Sequence, residues 1–309
     1  MARRHLLVCA IALATIAGFA VVALEVSGDG LHEAASPSWP LLATAFVIAS
    51  LAQPLRAMAW RATLQNEVDF KAVYAASSVG SFLDTVLPAR LGEASKVGVL
   101  RVSSGRRWPG FPRAAGSLLC AHLLEAIAFV TVGAVAALFL PFPTWVRWAM
   151  VGGFGAAAAG LALAATLHRK IGRLLPTGVD RFLSGAAAPP RVLAHAGSIL
   201  LATWVVRWLG MTVLLHAFGI QVGLGAALAY VVVTGLANTM PVLPGNAGLY
   251  QGAAMGALAL VGQAGSKAVA VGLVAPMFAS VVTAVGALAG VALYGRRFGD
   301  IRRAALARA

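Results

Sequence analysis

The fold of this chain is decided by two related stretches, Leu87-Pro88-Ala89-Arg90-Leu91-Gly92 and Leu243-Pro244-Gly245-Asn246-Ala247-Gly248. Each contains Leu-Pro, a small residue, a polar residue, any residue and then Gly. Pro and Gly interrupt helices, and irregular backbone survives inside a membrane only where protein or water surrounds it. The two stretches therefore predict two broken-helix elements in an apolar chain.

The composition around these stretches is that of a membrane protein. Of 309 residues, 60% are hydrophobic and 11% are charged, whereas soluble domains carry about 25% charged residues. The net charge of +14 is concentrated in a few loops and the C-terminal tail, as in cytoplasmic loops, so we expect no nucleic-acid partner. No phosphate loop, paired-His metal spacing or nucleophile elbow occurs, so we expect no enzyme activity, metal or cofactor.

Windows of about twenty apolar residues predict an all-α polytopic fold with six membrane spans. The predicted spans are 5–24, 39–60, 114–140, 146–167, 193–218 and 268–294. Segments 70–101 and 223–262 each hold two shorter apolar pieces around one break, which predicts two re-entrant hairpins. The positive-inside rule places both termini and the linker 168–192 in the cytoplasm.

With that topology the two hairpins enter the membrane from opposite faces. This predicts an inverted repeat of two halves, 39–140 and 193–294; the alternative is a chance match between sequences rich in Gly and Leu. Transporters place midplane substrate sites at the interface of such repeats.

The first break carries four ionisable side chains within residues 84–96. Arg90 either grips a phosphate or carboxylate headgroup near the start of a half-helix or forms a salt bridge with Asp84 or Glu93. Glu93 either holds Arg90 or carries a proton. Asp84 is either a partner for an arginine or a titrating group. Lys96 is expected to extend towards the cytoplasmic interface.

Ionisable residues also occur within the predicted spans. Glu125 lies three residues after His122 in the third span, and Arg207 lies in the middle of the fifth. An intramembrane charge needs a partner. Glu125 and Arg207 either pair and fix helix packing, or Arg207 contributes to an anion site between the hairpins.

The second break is polar but uncharged. It either lines a cavity with unpaired backbone groups or is a kinked helix pair without a ligand. Its candidate binding residues are Asn238, Pro244, Gly245, Asn246 and Gln251. The candidate hinge residues of the two breaks are Pro88, Gly92, Pro241 and Gly248.

These motifs resemble the signatures of the lysylphosphatidylglycerol synthase transmembrane region, also called the flippase-like domain family. The first signature, Leu-Pro-Gly-Arg-x-Gly-Glu followed by a basic residue, is similar to residues 87–93 with Lys96. The second, Pro-x-x-Pro-Gly-Gly-x-Gly-x-x-Glu, is similar to residues 241–251, and a Glu-Arg-x-x-Asp-like pattern falls on 121–125. The chain departs from these patterns at three positions. His122 stands where the pattern has Arg, Asn246 where it has Gly, and Gln251 where it has an acidic residue.

The resemblance implies movement or binding of amphipathic lipids between bilayer leaflets, such as modified phosphatidylglycerol, hopanoid or polyprenyl-phosphate-linked molecules. Without the aminoacyl-transferase domain fused in some members, the chain is not expected to make the lipid. Gln251 in place of a carboxylate argues against a cationic lipid substrate. We expect a lipid transporter of a bacterial inner membrane, with membrane lipids as partners.

Three alternatives stay open. The chain could transport small organic anions or ions, or bind lipid without transport as the partner of an envelope-lipid biosynthetic enzyme. A membrane-embedded enzyme using Asp84, Glu93 and Glu125 as acid and base is a further alternative, although no spacing specifies a reaction. The sequence predicts neither the lipid, the direction, the coupling ion nor the oligomeric state.

Overall fold

The computed structural model describes residues 37–86, 91–139, 142, 144–237, 249–259, 262 and 266–306. Within these ranges the regular structure is helical, with eleven α-helices and two short 3-10 turns. The helices are α1 Trp39–Ser50, α2 Ala52–Thr63, α3 Phe70–Val86, α4 Leu91–Ser104, α5 Phe111–Phe139, α6 Thr144–Ile171, α7 Thr177–Ala186, α8 Pro190–Ala217, α9 Leu224–Ala237, α10 Leu249–Ala259 and α11 Ser266–Leu306.

Five stretches of helix are long and apolar enough to cross a membrane. They are Trp39–Thr63, Phe111–Leu138, Thr144–Ile171, Pro190–Ala217 and Val274–Tyr294. A backbone in lipid must satisfy its hydrogen bonds internally, which is why such long apolar stretches form helix. They match the second to sixth predicted spans, while the first predicted span, 5–24, lies outside the described residues.

Two of these spans differ in detail from the prediction. The second consists of α1 and α2, which meet at Leu51. Pro54 has no N–H to donate to the carbonyl of Ser50, so one helical hydrogen bond is missing at the junction. The last helix, α11, is longer than the predicted span 268–294 and continues to Leu306, with Pro276 inside it.

The two predicted breaks each lie between a pair of shorter helices. The helices α3 and α4 pack along each other, as do α9 and α10. Their 17, 14, 14 and 11 residues correspond to about 25, 21, 21 and 17 Å, less than the roughly 30 Å of a bilayer core. The connections 87–90 and 238–248 lie outside the described residues, so re-entry into the membrane stays a prediction.

The predicted linker 168–192 contains helix α7, which packs against α5 and α6. Gly116 and Gly185 make this contact possible. A Cβ on Gly116 would collide with the carbonyl of Phe182, and a Cβ on Gly185 with the carbonyl of Arg113. Leu183 of α7 is also buried against the end of α6. The segment is therefore part of the helical body.

Helix α8 lies at the centre of the body, in contact with α1, α2, α5 and α9. Small buried residues, such as Ala59 of α2 and Ala196 of α8, belong to the core cluster at these contacts. Small residues let helix backbones approach closely in a membrane, where packing rather than water exclusion holds helices together. This close packing positions the polar residues described next.

Candidate functional site

Seven ionisable side chains from five helices form one continuous series of contacts. We call this group the charge cluster. It comprises Arg56 of α2, Asp84 of α3, Glu93 and Lys96 of α4, His122 and Glu125 of α5, and Arg207 of α8. The charge cluster joins elements from both halves of the chain.

Glu125 lies at one end of the charge cluster between two arginines. Its Oε2 accepts a hydrogen bond from Nη2 of Arg56 at 2.7 Å, and its Oε1 lies 3.9 Å from Nη1 of Arg207. Glu125 is the middle residue of the 29-residue helix α5, so it lies about 21 Å from either helix end. The structure therefore gives this mid-span carboxylate two cationic partners.

Arg207 is oriented by an aromatic side chain one turn earlier on α8. Its guanidinium lies 4.8 Å from the ring centroid of Trp204, a cation–π distance. Trp204 in turn packs against Phe129 of α5, with ring centroids 4.8 Å apart. This stacking holds a cation at the α5–α8 interface, and 40% of the Arg207 side chain is exposed.

At the other end of the charge cluster, Glu93 contacts three other members. Its Oε1 accepts from Nζ of Lys96 at 2.6 Å, and its Oε2 lies 2.7 Å from Nε2 of His122. Its backbone N–H donates to Oδ1 of Asp84 at 3.0 Å. The predicted extension of Lys96 towards the interface is wrong, because only 4% of this side chain is exposed and Glu93 holds its ammonium group inside the bundle.

Two glycines bring α3 and α4 close enough for these contacts. A Cβ on Gly92 would collide with the carbonyl of Gly80 and the N–H of Asp84. A Cβ on Gly80 would lie 2.9 Å from the carbonyl of Gly92. Gly92, predicted as a hinge, lies inside the first turn of α4 and allows close helix contact there. This contact places Asp84 beside the start of α4.

His122 connects the two ends of the charge cluster. Its Nε2 faces Glu93 on α4, and its Nδ1 lies 3.9 Å from Oε2 of Glu125 on its own helix. The exposed fractions of the His122, Glu93 and Arg56 side chains are 37%, 27% and 23%. The charge cluster can thus offer guanidinium N–H groups to the oxygens of an anion.

The structure brings together five of the predicted site residues. These are Asp84, Glu93, His122, Glu125 and Arg207. Other predicted residues lie outside the described part of the chain: Pro88, Arg90, Asn238, Pro241, Pro244, Gly245, Asn246 and Gly248. Gln251 lies on α10, but its side chain is likewise not described. Their predicted roles stay untested.

The predicted site lacked two members of the charge cluster: Lys96, which was expected to extend towards the interface, and Arg56, which was not considered. The position of Arg56 seven residues before the end of α2, within the span Trp39–Thr63, was an available signal. A charge at that depth needs a partner. Among the described residues, no group of three His, Cys, Asp or Glu side chains is arranged to hold a metal ion.

Comparison with known protein families agrees with this architecture. The family model for the lysylphosphatidylglycerol synthase TM region matches residues 6–290, which is most of the chain. Searches of curated proteins and of solved structures find no match at the significance required. The resemblance noted at the two breaks is confirmed, and the chain belongs to the family of lysylphosphatidylglycerol synthase transmembrane regions, membrane domains associated with lipid handling.

Proposed function

We propose that this protein moves an anionic or zwitterionic lipid between the leaflets of a bacterial inner membrane. The observation that carries the proposal is the charge cluster, which lies around the middle of α5 in a family associated with lipid handling. Desolvating the polar headgroup is the main barrier to lipid flipping. Fixed donors at mid-depth replace part of the lost hydration and lower that barrier.

The partial exposure of the charge cluster supports a hydrated route. The side chains of Arg207 and His122 are 40% and 37% exposed. A charge facing hydrocarbon at the bilayer centre costs about 2.5–3.5 kcal/mol on insertion scales. We infer that these exposed faces border a cleft containing water or headgroup, where Arg90, next to α4 in sequence, adds another cation.

The packing of the helices supports the proposed inverted repeat. In the first half, α3 packs against α2 and against α11, the last helix of the second half. In the second half, α9 packs against α8 and against α5, the last helix of the first half. These named contacts correspond to each other when the two halves are exchanged. Such repeats place substrate sites at their common interface.

The test is lipid flipping in proteoliposomes. The wild type should move NBD-labelled phosphatidylglycerol across the bilayer, as measured by the fraction that dithionite quenches. Arg207→Ala and Arg90→Ala should reduce the rate about tenfold or more, because each removes a charged donor from the headgroup route. The matched control is Arg147→Ala, which alters an exposed arginine of α6 outside the charge cluster.

Each variant is first checked for monodispersity and helical content, so that a loss of flipping is not a loss of fold. Flipping by both variants at the wild-type rate would refute the assignment of the site. Uptake of a soluble organic anion by wild type that flips no lipid would favour the small-anion alternative. Native mass spectrometry of co-purified lipids identifies the headgroup.

The hairpin topology is tested by cysteine labelling in intact cells. We expect a cysteine at 90 to be reached through the cytoplasmic face and one at 246 through the outer face, because the hairpins are proposed to enter from opposite sides. Native Cys9 and Cys120 are replaced by Ser in the background. Labelling of both positions from the same face under every condition would contradict the inverted repeat.

A further inference from the structure

His122 lies between two carboxylates that belong to different helices. Nε2 lies 2.7 Å from Oε2 of Glu93 on α4, and Nδ1 lies 3.9 Å from Oε2 of Glu125 on α5. Histidine is the side chain that ordinarily changes charge between about pH 5 and 8. The two ring nitrogens therefore connect the two ends of the charge cluster through a group that can gain a proton.

The distances show which ring nitrogen of His122 carries the hydrogen when the imidazole is neutral. A carboxylate accepts hydrogen bonds, so the 2.7 Å contact requires the hydrogen of the neutral imidazole to be on Nε2. Nδ1 then carries the lone pair and lies 3.9 Å from Oε2 of Glu125, too far for a hydrogen bond. Protonation of the ring adds a positive charge beside this carboxylate.

The other charged members of the cluster that contains His122 come from five helices. Glu93 and Lys96 lie on α4, Asp84 on α3, Arg56 on α2, Arg207 on α8 and Glu125 on its own helix. Three carboxylates and three Lys or Arg cations cancel, so these described members are neutral as a group while the imidazole is neutral. One added proton raises the charge of the cluster by one, which favours the binding of an anionic headgroup.

We propose that His122 couples proton binding to lipid binding, so that one proton taken up on Nδ1 accompanies each anionic headgroup bound at the charge cluster. This inference rests on the proposed function and names its coupling ion. By linkage, a proton that strengthens headgroup binding is itself bound more tightly when the headgroup is present. A proton gradient then drives transport of the anionic lipid in one direction.

The first experiment measures flipping of NBD-phosphatidylglycerol in proteoliposomes at about pH 5.5 and about pH 8. Wild type should flip about tenfold faster at the lower pH, and internal pyranine should report proton movement with the lipid. His122→Arg keeps the positive charge but releases no proton, so its rate should be equal at the two pH values. A wild-type rate that is independent of pH, or an unaltered pH dependence in His122→Arg, overturns the proposal.

His168→Arg is the matched control. His168 also contacts a carboxylate, with Nδ1 3.0 Å from Oδ1 of Asp180, but it lies outside the charge cluster. Its side chain is 35% exposed, close to the 37% of His122. This variant should keep the wild-type pH dependence. Equal loss of pH dependence in both variants would show a general effect of histidine charge and overturn the role of His122.

A second experiment needs no transport and separates this inference from the proposed function. Histidine NMR signals are titrated in nanodiscs of phosphatidylglycerol and of phosphatidylcholine, and the His122 signal is identified by its loss in His122→Arg. We expect His122 to protonate at a higher pH in the anionic nanodiscs, by a larger margin than His168. Equal shifts of His122 and His168 between the two lipids overturn the coupling of proton binding to lipid binding. If His122 shows the larger shift but the protein flips no lipid, the coupling is upheld and only the proposed lipid transport is refuted.

Discussion

Replacing Glu125 by Gln removes the carboxylate that holds two arginines near the middle of α5. In the wild type Arg56 and Glu125 form an ion pair at 2.7 Å. The substitution keeps the size of the side chain but leaves the Arg56 guanidinium facing a neutral amide. Arg207, 3.9 Å from the same carboxylate, loses an attraction of about 4 kcal/mol before desolvation, at an effective dielectric of about 20. We therefore expect a clear loss of stability.

Burial sets the size of that loss. The Glu125 and Arg56 side chains are 14% and 23% exposed. Breaking a buried pair costs about 3–5 kcal/mol, because it leaves a charge without compensation. Since this pair is not wholly buried, we expect about 3 kcal/mol, the lower end. At roughly 2 °C for each kcal/mol in a chain of this size, the unfolding midpoint should fall by about 6 °C.

The matched control is Glu67→Gln. Glu67 pairs with Nη2 of Arg113 at the same 2.7 Å, but its side chain is 42% exposed. An exposed pair contributes about 0–1 kcal/mol, so this midpoint should fall by at most about 2 °C. The assay is thermal unfolding in detergent, followed by tryptophan fluorescence. Equal shifts for the two variants would refute the argument that burial makes the Glu125 pair strong.

Two further predictions concern glycines at helix contacts. Gly92→Ala should lower the unfolding midpoint by the equivalent of about 1–3 kcal/mol, because the new Cβ collides with the backbone of α3. Gly98→Ala, in the same helix with open space around it, should be neutral or stabilising by about 0.5–1 kcal/mol. Gly185→Ala should detach α7 and speed proteolysis within 172–189, because the new Cβ would collide with the carbonyl of Arg113. Gly178→Ala, on the same helix, is the control and should leave the cleavage rate unchanged, because its Cβ would meet nothing within 4 Å. Unchanged midpoints or cleavage rates would contradict the close contacts.

Much of the fold was predictable from apolar windows. Five of the six predicted spans correspond to helices of sufficient length, and α3 and α4 end and begin on either side of the first predicted break. The helix junction at Leu51 and the packed helix α7 were not predicted. They depend on a missing Pro54 N–H and on the glycines at the α5–α7 contact, to which the average hydropathy of a window is insensitive.

The candidate site was predictable in its members but not in its connections. Asp84, Glu93, His122, Glu125 and Arg207 were identified because charges within apolar sequence need partners. Sequence reasoning considered a Glu125–Arg207 pair, whereas the closest partner of Glu125 is Arg56. Sequence reasoning also predicted that Lys96 extends towards the interface, whereas its Nζ donates a hydrogen bond to Glu93.

The sequence by itself determined that this is a polytopic helical membrane domain, and it predicted two breaks at related motifs. Lipid leaves the backbone no partner but itself, so length and hydropathy are enough to predict helices there. Only the tertiary structure decided which charges meet, because partners depend on the rotation of each helix and on how closely its neighbours approach. The glycine contact between α3 and α4 and the placement of α5 against α2 and α8 bring His122 between two carboxylates, and no spacing along the chain encodes that arrangement.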